Sequence, residues 1–413
     1  MNSKKPHIVI VGAGQAGLEA AETLRGNAFE GCITLVGAEP HGPYHRPPLS
    51  KDWLTEAMDP GRLSMRDSSV LERKKIELRP RTTVVELDAK SLAVKLADGS
   101  SIESTGIVLA TGATPRRLAD MDALGDIAQT LRTREQASRI AEGLKRCREQ
   151  SLPLVVIGGG FVGLEVAASA RKLGVPVTVL EAASRLLERA LSAPLSHWYR
   201  QMHTSRGVEI IFKARVSKIE KISSSEAEVK LEGGAKLVAG LIVVGIGATP
   251  NDELARNAGI ECDRGILVND FARTSAEGIV AAGDCAVRRL SNGLTMRLES
   301  VHNAVEQGRS AAFALLGKDR PFDGAPWFWS DQYEYKLQIA GLSSGADKSI
   351  VRGDIAGNAF SIFHYLRDEL IAVDSINSAR DHMTVRRLIA ARVSPTPEQV
   401  FDLAFDLGSL RPK

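Results

Sequence analysis

Cysteine is scarce in this 413-residue chain: there are four, Cys32, Cys147, Cys262 and Cys285, with no Cys-x-x-Cys pair and no Cys/His spacing of the zinc kind. They offer neither a disulfide framework nor a metal site, and such usage suits a reducing cytoplasm. An excess of one charge is also lacking. Lys and Arg number 53 against 50 Asp and Glu, a net charge of +3, too balanced for a surface built as a whole to hold nucleic acid. Long apolar runs are missing as well. None reaches the roughly 18 residues of a membrane span, and the polar residues 1–7 lead into an apolar run at 8–11 that is too brief for a secretory signal. The expectation is a soluble cytoplasmic protein with no membrane or nucleic-acid partner.

Glycine, by contrast, is plentiful at 37 residues, against an average near roughly 7%. Hydrophobic residues at 44% and charged residues at 25% are ordinary for a globular chain, and the length suggests two to four domains.

The glycines fall into a repeat. Val9-Ile-Val-Gly-Ala-Gly-Gln-Ala-Gly17-Leu-Glu-Ala-Ala21 is echoed by Val155-Val-Ile-Gly-Gly-Gly-Phe-Val-Gly163-Leu-Glu-Val-Ala167. Each copy runs from a β-branched strand through a Gly-rich turn into an Ala/Leu-rich helix. A second apolar run follows each, at residues 32–36 and 177–180, completing two βαβ units that end near Glu39 and Glu181. In this context Gly12-x-Gly14-x-x-Gly17 and Gly158-x-Gly160-x-x-Gly163 have mechanical meaning: the first Gly allows the tight turn, the second admits a pyrophosphate, and the third lets helix pack on strand. The acid roughly 20 residues on would bind an adenosine ribose. Two complete copies imply two dinucleotides. The Glu181 carboxylate should repel a 2′-phosphate and so prefer NADH, while the nearby Arg185 reads as a solvated helix-start charge.

Two further segments share a Gly-Ala-Thr-Pro ending, at residues 112–115 and 247–250, and look like the exits from the two modules. Residues 79–102 and 209–238 read as small antiparallel insertions. Residues 279–284 would return the chain to the first domain and 299–316 form its closing helix. The domains expected are 1–114 with 245–320 for one dinucleotide, 115–244 for the other, and 321–413 as a C-terminal domain with strands near 360–365 and 370–373 and a helix near 383–392.

Together with Ile279-Val-Ala-Ala-Gly-Asp284, Arg46-Pro-Pro-Leu-Ser-Lys51, Gly158-Gly-Gly-Phe-Val-Gly-Leu-Glu165 and Phe328-Trp-Ser-Asp-Gln-Tyr333, these motifs make the chain resemble the FAD-dependent pyridine-nucleotide oxidoreductases of glutathione-reductase-like fold. Within them it is similar to the NADH-dependent ferredoxin reductases of oxygenase systems, over essentially its whole length. The resemblance implies an α/β fold with two Rossmann-like dinucleotide-binding domains, the second inserted in the first, plus a C-terminal α+β interface domain. It implies FAD on Gly12, Gly14, Gly17, Glu39, Arg46, Lys51, Thr111, Gly112, Asp284, Ser300, Val301 and Trp329. NADH would lie on Gly158, Gly160, Gly163, Glu165 and Glu181, with Lys51 and Glu165 as the catalytic pair. His302 stands where the family pattern has Gln.

No Cys-x-x-Cys follows the first fingerprint, and residues 42–45 lack the single cysteine of other relatives, so electrons should leave directly from FAD. The partner implied is a two-iron two-sulfur ferredoxin that serves a haem-thiolate or Rieske oxygenase. Residues 62–81 and 287–320 are locally basic, which makes Arg66, Arg288, Arg289 and Arg309, with Trp329, candidates for docking an acidic ferredoxin. Two alternatives stay open: a rubredoxin or monodehydroascorbate reductase on the same cofactors, and a regulatory flavoprotein of the apoptosis-inducing-factor kind.

Overall fold

The structure, a computed structural model, describes residues 5–290, 293–322 and 324–411. The chain divides into two compact units. The first takes residues 1–45, 60–114 and 248–323, the second 46–59, 115–247 and 324–413.

The first unit is built on a five-stranded parallel sheet in the spatial order Ile279–Ala281, Gly106–Leu109, His7–Val11, Cys32–Val36, Ile76–Arg79. A central parallel strand is covered on both faces, which is why residues 8–11 are apolar without interruption. Successive side chains point to opposite faces, so Ile8 and Ile10 enter one core with Leu24, Ile33 and Leu35, while Val9 and Val11 enter another with Val94, Ile107 and Leu109. The first core is roofed by the helices Gln15–Gly26 and Val301–Leu315. They cross closely because Gly308 has no side chain: a Cβ there would lie 2.6 Å from the Ala16 carbonyl oxygen. The second core is closed by a three-stranded antiparallel sheet, Val84–Asp88, Ala93–Leu96 and Ser101–Glu103.

The second unit repeats the plan. Its parallel sheet runs in the order Val208–Phe212, Val177–Glu181, Leu154–Ile157, Leu241–Val244, Ala128–Thr130. Three antiparallel strands accompany it, Val216–Lys221, Ala227–Leu231 and Lys236–Ala239. The unit also holds a five-stranded antiparallel sheet in the order Trp327–Gln332, Tyr335–Gly341, Glu369–Ile376, Ala359–Leu366, Lys348–Asp354, with helices Ala379–Ala390 and Pro397–Phe401.

The α/β reading therefore holds, with two Rossmann-like sheets and a sheet-rich C-terminal part. It differs at two places. Ile76–Arg79 and Val208–Phe212 are the fifth strands of the parallel sheets, so each antiparallel insertion starts later than expected. Both are edge strands with a single fully buried residue, and a half-exposed edge strand has the same mixed apolar-polar pattern as an antiparallel one. Among the described residues no helix is long and apolar enough to cross a membrane.

Candidate active site

The two Gly-rich turns are alike atom for atom. Gly12 has φ +116°, and a Cβ there would lie 2.0 Å from the Ala110 carbonyl oxygen; at Gly17 it would lie 2.0 Å from that of Gly12. In the second copy Gly158 has φ +111° with the Gly245 oxygen at 2.4 Å, and Gly163 meets the Gly158 oxygen at 2.2 Å. The first and third glycines are thus demanded by the protein's own packing. Gly14 and Gly160 are not: a Cβ on either would meet nothing within 4 Å. Each also caps its helix without a side-chain hydrogen bond, which leaves first-turn N–H groups to face an anion. An open second glycine on a helix N-terminus fits a diphosphate, so both turns suit a dinucleotide.

The acids that end the βαβ units are fixed differently. Glu39 accepts a hydrogen bond from the Tyr44 hydroxyl. Glu181 accepts from the Gly159 amide and the Ala183 amide, each at 2.7 Å, so its carboxylate is locked onto the loop it would share with a ribose. Arg185 is committed to its own loop, donating to the carbonyls of Leu191 and Glu188 and to Ser196 Oγ.

Other expected residues of the first unit cluster where strands end. The Thr111 hydroxyl donates to the Asn251 carbonyl, the Asn251 side chain donates back to the Thr111 carbonyl at 2.8 Å, and Asn251 N–H donates to Gly112. Gln307 accepts from the Gly283 amide at 2.8 Å, and Arg297 donates to the Asp284 carbonyl, which fixes the loop that carries Asp284. Ser300 is the N-cap of the Val301–Leu315 helix, accepting from Asn303 N–H at 3.1 Å. Replacing Gln with His at 302 places a ring edge-on to Phe322, 5.6 Å between centroids.

In the second unit the chemistry converges on Glu165, the fifth residue of helix Phe161–Lys172 and only 5% exposed. Lys51 Nζ stands 2.9 Å from its Oε1. Ser330 Oγ donates to the same oxygen at 2.7 Å, and Ser50 Oγ donates to Oε2. Lys51 sits just past a one-turn 3-10 helix preset by Pro47 and Pro48, and its ammonium also donates to the Pro47 carbonyl at 3.1 Å. Arg46, before that turn, donates to the Arg132 carbonyl. A buried carboxylate needs such partners, and this one has an ion pair and two hydroxyls. Burial comes first and the Glu165 charge next in pushing the Tyr199 phenol well above its ordinary range, so the phenol stays protonated.

Ser50 and Ser330 were not singled out from sequence, yet both lie inside the motifs that were, one before Lys51 and one after Trp329. Strand periodicity explains the latter pair. On Trp327–Gln332, Phe328, Ser330 and Gln332 share a face: Phe328 packs on Phe161 at 4.6 Å, Ser330 meets Glu165, and Gln332 meets His203. Trp327 and Trp329 occupy the other face and stack on each other, 5.2 Å between centroids. Arg386 lies over the Trp327 ring at 4.7 Å.

The candidate docking arginines all carry acidic partners. Arg66 holds Glu22 with two hydrogen bonds, Arg309 holds Glu19 and Glu306, and Arg289 holds Glu261. Arg288 departs from expectation. Its side chain is only 14% exposed, donates to the Phe322 carbonyl at 2.7 Å and lies over the Phe322 ring, so it serves packing rather than the surface.

A family model described as pyridine nucleotide-disulphide oxidoreductase matches residues 6–308, and one described as reductase C-terminal matches 327–411. Rhodocoxin reductase of Rhodococcus erythropolis is 44% identical over 402 residues, covering 97% of this chain and 93% of the relative. The ferredoxin–NAD(+) reductase component of the anthranilate 1,2-dioxygenase system of Burkholderia cepacia is 38% identical over 396 residues, 95% of this chain and 96% of the relative. Among solved structures, that of the covalent putidaredoxin reductase–putidaredoxin complex superposes with a TM-score of 0.92 at 38% identity, covering 98% of both chains.

Proposed function

The chain belongs to the pyridine nucleotide-disulphide oxidoreductase family, and from that premise we propose that it is an NADH-dependent ferredoxin reductase carrying FAD and serving an oxygenase system. The observation that carries this reading is the state of its cysteines. Cys32, Cys147, Cys262 and Cys285 are all free, and Cys147 and Cys285 are buried with their thiols pushed up, that of Cys147 to about 11. In a family named for disulphide chemistry, this chain has no disulfide to pass electrons through, so they leave from the flavin.

The chemistry FAD supplies when bound is exchange between a hydride and single electrons. The protein binds and orients. Gly12, Gly14 and Gly17 present the helix N-terminus to the FAD diphosphate, Glu39 takes the adenosine ribose, and Thr111, Gly112, Asp284, Ser300 and Val301 line the remainder, with Arg46, Lys51 and Trp329 as further contacts. Gly158, Gly160, Gly163 and Glu181 do the same for NADH. Glu181, with both oxygens already bound to amides, repels a 2′-phosphate, and the nearby Arg185 is committed to its own loop. Lys51 and Glu165 hold the nicotinamide in register for transfer, a task of positioning rather than proton movement.

We assign residues 1–114 and 245–320 to FAD, 115–244 to NADH and 321–413 to the interface with the partner. That partner is a two-iron two-sulfur ferredoxin feeding a haem-thiolate or Rieske oxygenase in the cytoplasm, where free thiols persist. Anaerobic stopped-flow reduction tests the reading. Fast bleaching by NADH, slow bleaching by NADPH and cytochrome c reduction dependent on added ferredoxin are expected. A protein that retains no FAD, or turns over without ferredoxin, would overturn it.

A further inference from the structure

We propose that Ser330, Gln332 and His203 form a one-way hydrogen-bond line that positions the Glu165 carboxylate. The links are short and fully enclosed. Ser330 Oγ lies 2.7 Å from Glu165 Oε1, Gln332 Nε2 lies 3.2 Å from Ser330 Oγ, and His203 Nε2 lies 2.8 Å from Gln332 Oε1. Ser330 and His203 are 0% exposed and Gln332 is 2% exposed.

The direction follows from Glu165. An ion-paired carboxylate only accepts, so the single Ser330 proton goes to it. Ser330 Oγ must then accept from the Gln332 amide, which turns Gln332 Oε1 toward His203. That oxygen needs a proton from Nε2, so His203 is the Nε2–H tautomer. Nδ1 then carries only a lone pair, and it has no hydrogen-bond partner among the described residues. Burial pushes the His203 pKa down to about 4, so the ring is neutral at physiological pH and the line adds no charge of its own. A protonated Glu165 would reverse every link; the Lys51 ion pair selects the direction described.

Strand alternation puts Ser330 and Gln332 on one face, and helix Ala193–Thr204 supplies the far anchor, His203. The carboxylate is therefore held from two sides. Ser50 and Lys51 come from the loop, and the line comes from the antiparallel sheet. Ser330, Gln332 and His203 are positioning residues, acting on nicotinamide only through Glu165, so the inference rests on the reductase reading above.

The test uses the full-length holoenzyme. In 15N-histidine spectra the His203 resonance, assigned by its loss in His203→Phe, is expected to show a neutral Nε2–H imidazole at pH 7. It should shift toward the other tautomer in Gln332→Leu. In stopped flow, Ser330→Ala and Gln332→Leu are expected to lower the limiting rate of bleaching by NADH about tenfold, the scale of one lost hydrogen bond to a charged group, with a smaller change in NADH Kd. A purely structural role would lower the melting temperature and spare the limiting rate. An Nδ1–H tautomer in the unsubstituted protein, or a full limiting rate in Ser330→Ala, would overturn the line. If NADH bleached nothing even in the unsubstituted protein, the reductase reading would fall, while the tautomer measurement would still decide the line.

Discussion

The Lys51 ammonium and the Glu165 carboxylate lie 2.9 Å apart, the lysine from a proline-stiffened loop and the acid from helix Phe161–Lys172. Glu165 is almost wholly buried, so removing its cation leaves a charge with two hydroxyls for support. Lys51→Met is expected to cost about 3 kcal/mol of stability and to slow reduction by NADH. Adding Glu165→Gln should recover part of the stability and none of the rate. Denaturant titration and stopped flow on the two single variants and the double variant check this; additive stability losses would dissolve the pairing.

The glycine turns separate the two cofactors by mutation. At Gly12 and at Gly158 an added Cβ runs into a backbone carbonyl in a left-handed conformation, strain of about 1–3 kcal/mol before any clash. Gly12→Ala is expected to yield apoprotein. Gly158→Ala should keep its flavin spectrum and lose most of its bleaching by NADH. Absorbance after gel filtration, followed by NADH titration, distinguishes them, and equal flavin retention in both would contradict the assignment.

Coenzyme choice turns on Glu181. Glu181→Ala removes both the ribose acceptor and the repulsion of a 2′-phosphate, so the ratio of kcat/KM for NADH over NADPH should fall about 10- to 100-fold. The loss is expected mainly on the NADH side, because Arg185 remains tied to Leu191, Glu188 and Ser196. A variant that still discriminated like the parent would place the choice elsewhere.

Acid should destabilise the second unit through its buried histidines. The His203 pKa in the folded state, about 4, lies below the ordinary 6.5, so the unfolded chain takes up the proton first. Stability is complete above about pH 6.5 and is lost as pH falls toward 4, by about 3 kcal/mol for this residue. His382 is shifted to about 4 as well, chiefly by burial, and adds to the same window. Denaturation midpoints between pH 7.5 and 4.5 should slope less in His203→Phe; an unchanged slope would remove His203 from the account.

Docking separates surface from buried arginines. Charge reversal at Arg66, Arg289 or Arg309 is expected to slow ferredoxin-dependent cytochrome c reduction and flatten its salt dependence. Arg288→Gln should instead lower stability and leave the salt dependence alone, because its guanidinium is spent on Phe322 and Asp270. Identical behaviour of all four would argue against a localised surface.

Both nucleotide units were legible because their demands are local: a strand, a turn that tolerates only glycine, a small-residue helix and an acid at fixed spacing. Lys51 and Glu165 could be named from motifs, but that they touch could not be derived from spacing. Ser50, Ser330, Gln332 and His203 stayed hidden for a physical reason. Serine and glutamine on a strand carry no periodic signal of their own, and each acquires its role from a partner distant in the chain. Arg288 was misread in the same way, since a basic residue in a basic stretch reads as surface until Phe322 is seen to cover it. The fifth parallel strands were lost to the ambiguity of half-buried edges.

All five strands of the second parallel sheet come from one continuous stretch, residues 128–244, whereas the first sheet and its roof wait for the strand at 279–281 and the helix at 301–315. During synthesis, then, the parallel sheet whose strands leave the ribosome first is the later of the two to be completed. Until residue 281 has emerged, the strand at 106–109 offers an open edge, and until residue 315 has emerged, Ala16 lacks the helix whose Gly308 covers it. A nascent chain in that state is a template for strand pairing with its neighbours, so the yield of this protein should depend on chaperones that hold the strands of the first sheet until residues 279–315 are made.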